Sequence, residues 1–317
     1  MADIDACDLW GGLGLGISYD DGPYRLAIIT CGAVALLCFV VSSISKNYSQ
    51  VDKIWSIIPV VYAWFPVCDS RTLLMACLVT IWGIRLTWNF NRRGGYKWPL
   101  WDGDEDYRWE VIRTGGLIKV LANPLAWTLF NFGFVSIYQN LLLLLIVAPS
   151  FVAYTMATSE NCIITYARDL NILDVIATLT FLACVLIESV ADNQQFAFQT
   201  EKYRLRNTGN AELLVGDYGD GFCQSGIFRI VRKPNYAAEQ MIWVSFFLFS
   251  IAAQKEVASI WNWSAIGSVL LVLLFQGSGW FTEKITMAKY PSYKDYVKRV
   301  PLYIPSMLDN WLKLKQE

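Results

Sequence analysis

One stretch of the sequence combines residue types that bind anions with a position at the start of a long apolar run. Gly226–Gln240 contains three cations, Arg229, Arg232 and Lys233, and the apolar run Met241–Ala253 follows directly. Cationic side chains beside the free N–H groups of a helix N-terminus make an anion-binding site. We therefore predict that this stretch binds an anionic ligand at the end of a membrane helix.

Helix capping is the structural alternative for part of this stretch. Asn235 has the residue type of an N-cap, but Glu239 lies four residues on, whereas a capping box requires a spacing of three. A carboxylate in the first helical turn is favoured by the helix dipole alone. The same dipole repels cations, so capping does not account for Arg229, Arg232 and Lys233.

The composition indicates that membrane helices must position these residues. Of 317 residues, 55% are hydrophobic and 17% are charged, against about 25% charged in soluble domains. Fourteen Trp and sixteen Tyr suit two interfacial belts, and a net charge of −1 argues against a nucleic-acid partner. The sequence has no His, and its eight Cys lack metal-ligand spacing, so no metal site is predicted. Proton transfer would then use Tyr, Asp, Glu, Lys or water.

The apolar runs predict an all-α polytopic membrane protein with about seven transmembrane helices and a cytosol-facing site. An acidic, non-cytosolic N-terminus over 1–24 precedes a seven-span domain over 25–305, and a cytosolic tail covers 306–317. The spans are expected near residues 26–45, 54–68, 72–90, 124–148, 170–191, 237–254 and 260–282. Pro59 and Pro66 interrupt the second span.

The distribution of Lys and Arg predicts the orientation in the membrane. With the N-terminus outside, the cytosolic segments are 46–53, 91–123, 192–236 and 284–317. These segments hold twenty-one of the 26 Lys and Arg residues, as the positive-inside rule requires. Lys313 and Lys315 resemble a dilysine retrieval signal of the endoplasmic reticulum, with a solvated tail helix as the equal alternative.

Charged residues inside the predicted spans are a second source of candidate site residues, because a charge at bilayer depth faces a partner or a water-filled cavity. Arg85 lies near the inside end of the third span, and Glu188 and Asp192 are four residues apart on one helix face. Arg85 either pairs with one of these acids or binds a ligand. Asp174, near the outer end of the fifth span, is expected at the interface.

Several motifs then resemble those of one enzyme superfamily. Gly226–Arg229 and Pro234–Glu239 resemble the Gly-Leu-Phe…Arg-x-Pro-Asn-Tyr-x-x-Glu element of the steroid 5α-reductase and sterol reductase superfamily. Lys289–Tyr296 is similar to its Tyr-Pro-x-Tyr element. Four upstream segments look like an uncharacterised branch of that superfamily: Val51–Pro59, Trp82–Leu86, Arg92–Tyr96 and Glu105–Trp109.

The resemblance implies a seven-helix protein of the endoplasmic reticulum that holds NADPH in a cytosol-facing cavity and reduces a carbon–carbon double bond of a lipid or sterol-like substrate. The cofactor-binding residues that it implies are Arg85, Arg92, Arg93, Asp192, Arg232, Asn235, Tyr236, Glu239, Tyr290, Tyr293 and Tyr296. Arg229 and Lys233 join this set as neighbouring cations. Membrane lipids and a hydrophobic small molecule would be the partners.

Two departures from the superfamily pattern concern the substrate side. Trp82 stands near the place where steroid reductases have a tyrosine, and the superfamily's seventh-span His residues are replaced in the region Phe281–Lys284. Tyr62 and Glu188 are the predicted proton donors instead. Two alternatives remain: a membrane methyltransferase of the isoprenylcysteine type that uses S-adenosylmethionine, and a non-catalytic lipid-binding scaffold.

Overall fold

Helices form the regular structure of the chain in a computed structural model that describes residues 22–99, 101–158, 169–209, 212, 214–254 and 261–305. They are α1 Pro23–Ser45, α2 Gln50–Ile54, α3 Ile58–Trp64, α4 Ser70–Arg92, α5 Tyr107–Arg113, α6 Pro124–Phe130, α7 Gln139–Leu145, α8 Ala148–Thr158, α9 Ile172–Asn207, α10 Asp217–Asp220, α11 Pro234–Ala252, α12 Ala265–Lys289 and α13 Tyr293–Arg299. A π-helix, Asn131–Tyr138, joins α6 to α7. The described residues include no strand, so the predicted all-α class is confirmed for them. Residues 1–21 and the predicted tail with its two lysines lie outside the described part.

Among the described residues, five helices are long and apolar enough to cross a membrane, as in an integral membrane protein. They are α1, α4, the continuous helix Pro124–Leu145, α9 and α12. Each corresponds to a predicted span. The predicted second and sixth spans coincide with α2–α3 and with α11, which are not among the five.

The second predicted span is a broken helix that runs antiparallel to α4. Pro59 lies in the first turn of α3, where its missing N–H costs no hydrogen bond. The Ser56 and Thr87 hydroxyls are 2.7 Å apart, and the Trp64 indole N–H donates to the Thr80 hydroxyl at 3.0 Å. These contacts hold the chain after α2 against α4 between Thr80 and Thr87.

The segment around α2 is bonded to the polar connection that follows α4. Lys53 is buried, and its ammonium donates to the carbonyls of Trp101 (2.8 Å) and Asp102 (2.5 Å). The Tyr96 hydroxyl donates to the Lys53 carbonyl at 2.5 Å, and the Trp109 indole N–H donates to the Asp52 carboxylate at 3.0 Å. Burial lowers the pKa of Lys53, although the charges of Asp102 and Asp52 oppose this shift.

At the other end of α4, Arg71 forms a buried ion pair. Its guanidinium donates to both carboxylate oxygens of Asp174, at 2.8 and 2.9 Å, and to the Asp169 carbonyl at 2.7 Å. The side chains of Arg71 and Asp174 are each 1% exposed. Asp174 was expected at the interface from its position alone, but this pairing buries it.

The chain divides into two compact units. The first comprises residues 1–181 and 243–271, and the second comprises residues 182–242 and 272–317. The second unit has two small hydrophobic clusters. One contains Ala191, Phe198, Cys223 and Phe228, and the other contains Phe222, Tyr293, Tyr296 and Val300.

Candidate functional site

The loop that precedes α11 is fitted closely against α9 in the second unit. Gly226 has a φ of 59°, and a Cβ at this position would lie 2.4 Å from the Gln194 side-chain oxygen. That oxygen accepts a hydrogen bond from the Ile227 backbone N–H at 3.1 Å. Position 226 therefore requires glycine for both its backbone conformation and its close approach to Gln194.

Arg232, a predicted cofactor ligand, is bound on several sides by the protein itself. Its guanidinium makes a two-pronged ion pair with Glu283, at 2.6 and 3.0 Å. It also donates to the carbonyls of Val297 (3.1 Å) and Val300. The Tyr293 hydroxyl donates to the same Glu283 carboxylate at 3.0 Å. These contacts, hereafter the Arg232–Glu283 clasp, attach the C-terminal segment to the loop before α11.

Backbone bonds extend this attachment. The N–H groups of Arg232 and Lys233 donate to the carbonyls of Pro301 (2.9 Å) and Leu302 (3.1 Å). The Tyr296 hydroxyl donates to the carbonyl of Phe228 at 2.5 Å. The loop that carries the predicted anion-binding residues is therefore bonded at several points to the segment Tyr296–Leu302.

The two buried phenols of α13 are held as neutral hydrogen-bond donors. Burial, reinforced by the negative charge of Glu283, raises the pKa of Tyr293 well above its usual value. Burial is also the main reason that the pKa of Tyr296 is raised. Both hydroxyls therefore keep their protons at physiological pH and use them within the protein.

Besides Glu283, three carboxylates are buried among the described residues of the second unit. Glu188 and Asp192 on α9 and Glu239 on α11 are 5%, 3% and 4% exposed. The Asn235 amide, in the first turn of α11, donates to Asp192 at 3.4 Å. The structure thus brings together two predicted site residues that are 43 positions apart in the sequence.

The cations of the loop differ in exposure. Arg229 is exposed and Lys233 is half-buried. The Lys233 ammonium lies 4.9 Å from the centre of the Tyr236 ring, a distance at which a cation is attracted to an aromatic face. The Tyr236 ring packs edge-on against Phe275 at 4.9 Å. Arg229 and Lys233 are therefore better placed than Arg232 to meet an external anion.

The predicted site residues are divided between the two units. The first unit holds Tyr62, Arg85, Arg92 and Arg93. The second holds Glu188, Asp192, Arg229, Arg232, Lys233, Asn235, Tyr236, Glu239, Tyr290, Tyr293 and Tyr296.

Within the first unit, the Arg92 guanidinium donates twice to the Asn89 amide oxygen, at 2.9 and 2.7 Å. Arg93 is exposed, Arg85 is half-buried and Tyr62 is fully buried. No metal-binding group of three or more His, Cys, Asp or Glu side chains occurs in the described part of the chain.

Sequence reasoning missed a group of cations around Tyr290. The Lys202 side chain is buried and donates to the Gly221 carbonyl at 3.1 Å. Its ammonium lies 5.9 Å from the Tyr290 ring centre, and that of Lys289 lies 5.5 Å from it. The signal in the sequence for this group was a pair of cations four residues apart near the end of α9, Lys202 and Arg206.

The chain was compared with protein families, with individual proteins and with solved structures. Residues 38–300 match the family model described as a protein of unknown function (DUF1295). An uncharacterised protein of Schizosaccharomyces pombe is 32% identical over 305 residues, which cover 91% of this chain and 81% of that protein. No solved structure matches the chain.

Proposed function

The chain belongs to the DUF1295 family of proteins of unknown function, and from this premise we propose that it is an NADPH-dependent membrane reductase. Its substrate would be a lipid or sterol-like molecule with a reducible carbon–carbon double bond. The hydrogen bond between Asn235 and Asp192, beside the loop that carries Arg229 and Lys233, is the observation that carries this proposal. The resemblance of Gly226–Glu239 to the reductase element supports it.

The residues of the second unit suit the two chemically different parts of a dinucleotide. Arg229 and Lys233 have the charge to bind phosphate groups. Asp192, Asn235 and Glu239 have the donors and acceptors that ribose hydroxyls and a carboxamide require. Because the clasp already neutralises Arg232, we propose that Arg232 positions the loop for cofactor binding.

The chemistry of the proposed reaction is hydride and proton transfer to a double bond. When bound, NADPH supplies the hydride for one carbon of that bond. Glu188, which is buried in the same unit as the proposed cofactor residues, would supply the proton for the other carbon.

We also propose that the chain crosses the membrane seven times. The antiparallel contacts of Ser56 and Trp64 with α4 support a second crossing beside that helix. Contacts between α11 and α12 support a sixth: the Ser268 hydroxyl donates to the Trp243 carbonyl at 2.8 Å, and the Gln276 and Gln240 amides bond at 3.2 Å. The proposed location is the endoplasmic reticulum, with a cytosolic C-terminus and site.

A methyltransferase is the second candidate, and the three buried carboxylates favour it. S-adenosylmethionine carries a sulfonium and an ammonium, and buried acids are the groups that stabilise such cations. Glu188, Asp192 and Glu239 would serve this purpose, whereas they repel the phosphates of NADPH.

Binding measurements on purified protein test both candidates. We expect the wild type to bind NADPH, and Asn235→Ala or Asp192→Asn to weaken it by roughly 10- to 100-fold, the effect of losing a hydrogen bond to a charged group. Asn207→Ala, on an exposed position of α9, is the matched control and should bind like the wild type. Binding of S-adenosylmethionine without NADPH would favour the second candidate, and binding of neither would contradict both.

A further inference from the structure

A cluster of uncharged polar side chains is buried inside the first unit, in the membrane helices. Asn131, Ser136, Gln139 and Asn140 lie on the continuous helix Pro124–Leu145, and each is at most 4% exposed. Polar residues inside membrane helices are rare because lipid offers them no partner. Four buried polar residues within ten positions therefore indicate a function other than the binding of the proposed cofactor.

Hydrogen bonds account for only part of this cluster. The Asn131 amide donates to the Ser42 hydroxyl of α1 at 3.0 Å, and the Asn140 amide nitrogen donates to the Ser136 carbonyl at 2.8 Å. The Ser136 hydroxyl and the side-chain oxygens of Gln139 and Asn140 make no hydrogen bond within the described residues. Most buried polar atoms in proteins are paired, so three such oxygens on one helix need an explanation.

Tyr62 adds a fourth oxygen from a different helix. Its side chain is 0% exposed, and its hydroxyl finds no nitrogen or oxygen partner among the described residues. It lies beside the thiol of Cys31, a weak hydrogen-bonding group.

Two of the four residues, Tyr62 and Asn140, border the same face of α1. Cys31 and Cys38 lie on one buried face of α1, seven residues apart, together with small residues such as Ala35. Cys38 is the neighbour of Asn140, as Cys31 is of Tyr62. In addition, α1 packs against the π-helix and α7, and α3 packs against α7.

The backbone is also unusual at this place. Ser136 lies in the eight-residue π-helix Asn131–Tyr138, and Gln139 and Asn140 follow directly. A π-helix is rare and is frequently found at functional sites. The irregular helix and the oxygens without partners are independent observations that coincide.

We propose that Tyr62, Ser136, Gln139 and Asn140 form a binding site for a hydroxyl or carbonyl group of a membrane lipid. Two hydroxyls can donate, and two amide oxygens can accept, so a lipid alcohol satisfies both kinds of group. None of the four side chains is charged, so the set does not match a phosphate or an ammonium. The site goes beyond the proposed reduction because its occupation requires no NADPH.

Photolabelling of the whole protein in phosphatidylcholine nanodiscs tests this site. The probes are a long-chain alcohol with a diazirine in its chain and the corresponding hydrocarbon without the hydroxyl. We expect the alcohol to label peptides from α1 or Pro124–Leu145 more strongly than the hydrocarbon does. Each of Tyr62→Phe and Ser136→Ala should lower this labelling about fivefold, the effect of one lost hydrogen bond.

The same variants distinguish a lipid site from a structural role. Ser136→Ala deletes a hydroxyl that makes no hydrogen bond within the described residues, and Tyr62→Phe deletes one beside only the weakly bonding Cys31 thiol. The variants should therefore unfold at the same temperature as the wild type or higher when no alcohol is added. Ser150→Ala is the control, because the buried Ser150 hydroxyl already donates to the Val147 carbonyl at 2.7 Å. Equal labelling by both probes, or alcohol labelling that both variants leave unchanged, would overturn the proposal.

Discussion

Tyr290 has electrostatic surroundings unlike those of the two phenols of α13. Burial alone would raise its pKa, but the positive charges of Lys202, Lys289 and Arg206 outweigh burial and hold the pKa of Tyr290 below its usual value. The ionised phenol is therefore stabilised in the folded state. Its contribution to stability appears as the pH rises through this lowered pKa and is absent at lower pH.

An alkaline titration followed by phenolate absorbance checks this difference. We expect Tyr290→Phe to remove the phenolate signal that appears first, below the ordinary tyrosine pKa of about 10. Tyr293→Phe, the control, should leave that early signal intact, because burial raises the pKa of Tyr293. If the wild type and Tyr290→Phe gave the same phenolate absorbance at the lower end of the titration, the surrounding cations would not be acting on Tyr290.

Sequence motifs selected candidate site residues but did not indicate what each one contacts. Asn235 and Asp192 were both selected from the sequence, and they meet in the structure. Arg232 was also selected, but its partner Glu283 lies 51 positions away. A pattern of residue types indicates that a cation is present near a helix end, but only the packed structure determines whether the protein supplies its anion.

The clasp joins the end of α12 and the segment Tyr293–Val300 to the loop before α11. Arg232 and Glu283 are 8% and 10% exposed, so the loss of one partner would leave a buried charge without compensation. Such a loss typically costs about 3–5 kcal/mol, whereas replacement of both partners by apolar residues costs far less.

Unfolding by denaturant in detergent micelles tests the clasp. We expect Glu283→Gln to lower the free energy of unfolding by about 3–5 kcal/mol and the double change Arg232→Met with Glu283→Met to recover most of the loss. Lys298→Met breaks the exposed pair of Lys298 with Asp295 and should have no measurable effect. If the double variant were as unstable as Glu283→Gln, the ion pair itself would not be the cause.

The second predicted span shows what hydropathy alone can predict about a helix and what it cannot. Pro59 and Pro66 indicated an interruption, and the structure has helices of only five and seven residues there, α2 and α3. The side-chain contacts that align α3 with α4 depend on two segments of the folded chain. No local pattern in the sequence encodes them.

At the scale of the whole molecule, a chain that crosses the membrane five times and a chain that crosses it seven times place certain residues on different sides of the membrane. The bonds between Lys53 and the connection after α4 require both segments to lie on one side. A single crossing by α4 would separate them. The seven-span proposal accounts for these bonds, because α3 would add a crossing between Lys53 and the start of α4.

Cysteine labelling in sealed vesicles measures this arrangement. In a variant without the eight native cysteines, we expect Cys at Lys46 and at Lys97 to react from the cytosolic side with an impermeant maleimide. Cys at Trp261 should react only from the other side, and permeabilised vesicles serve as the control. Labelling of positions 46 and 97 from opposite sides would contradict the seven-span proposal.

The buried pair of Arg71 and Asp174 has a consequence for synthesis of the protein. The two residues are 103 positions apart, so Arg71 enters the membrane region long before its partner exists. At about 5–20 residues per second, that interval lasts roughly 5–20 seconds. During it, the guanidinium must remain hydrated or be shielded by the insertion machinery. The insertion of α9 is thus the step of biogenesis at which this charge gains its partner. Nascent chains truncated before Asp174 would expose a charge that quality control can recognise.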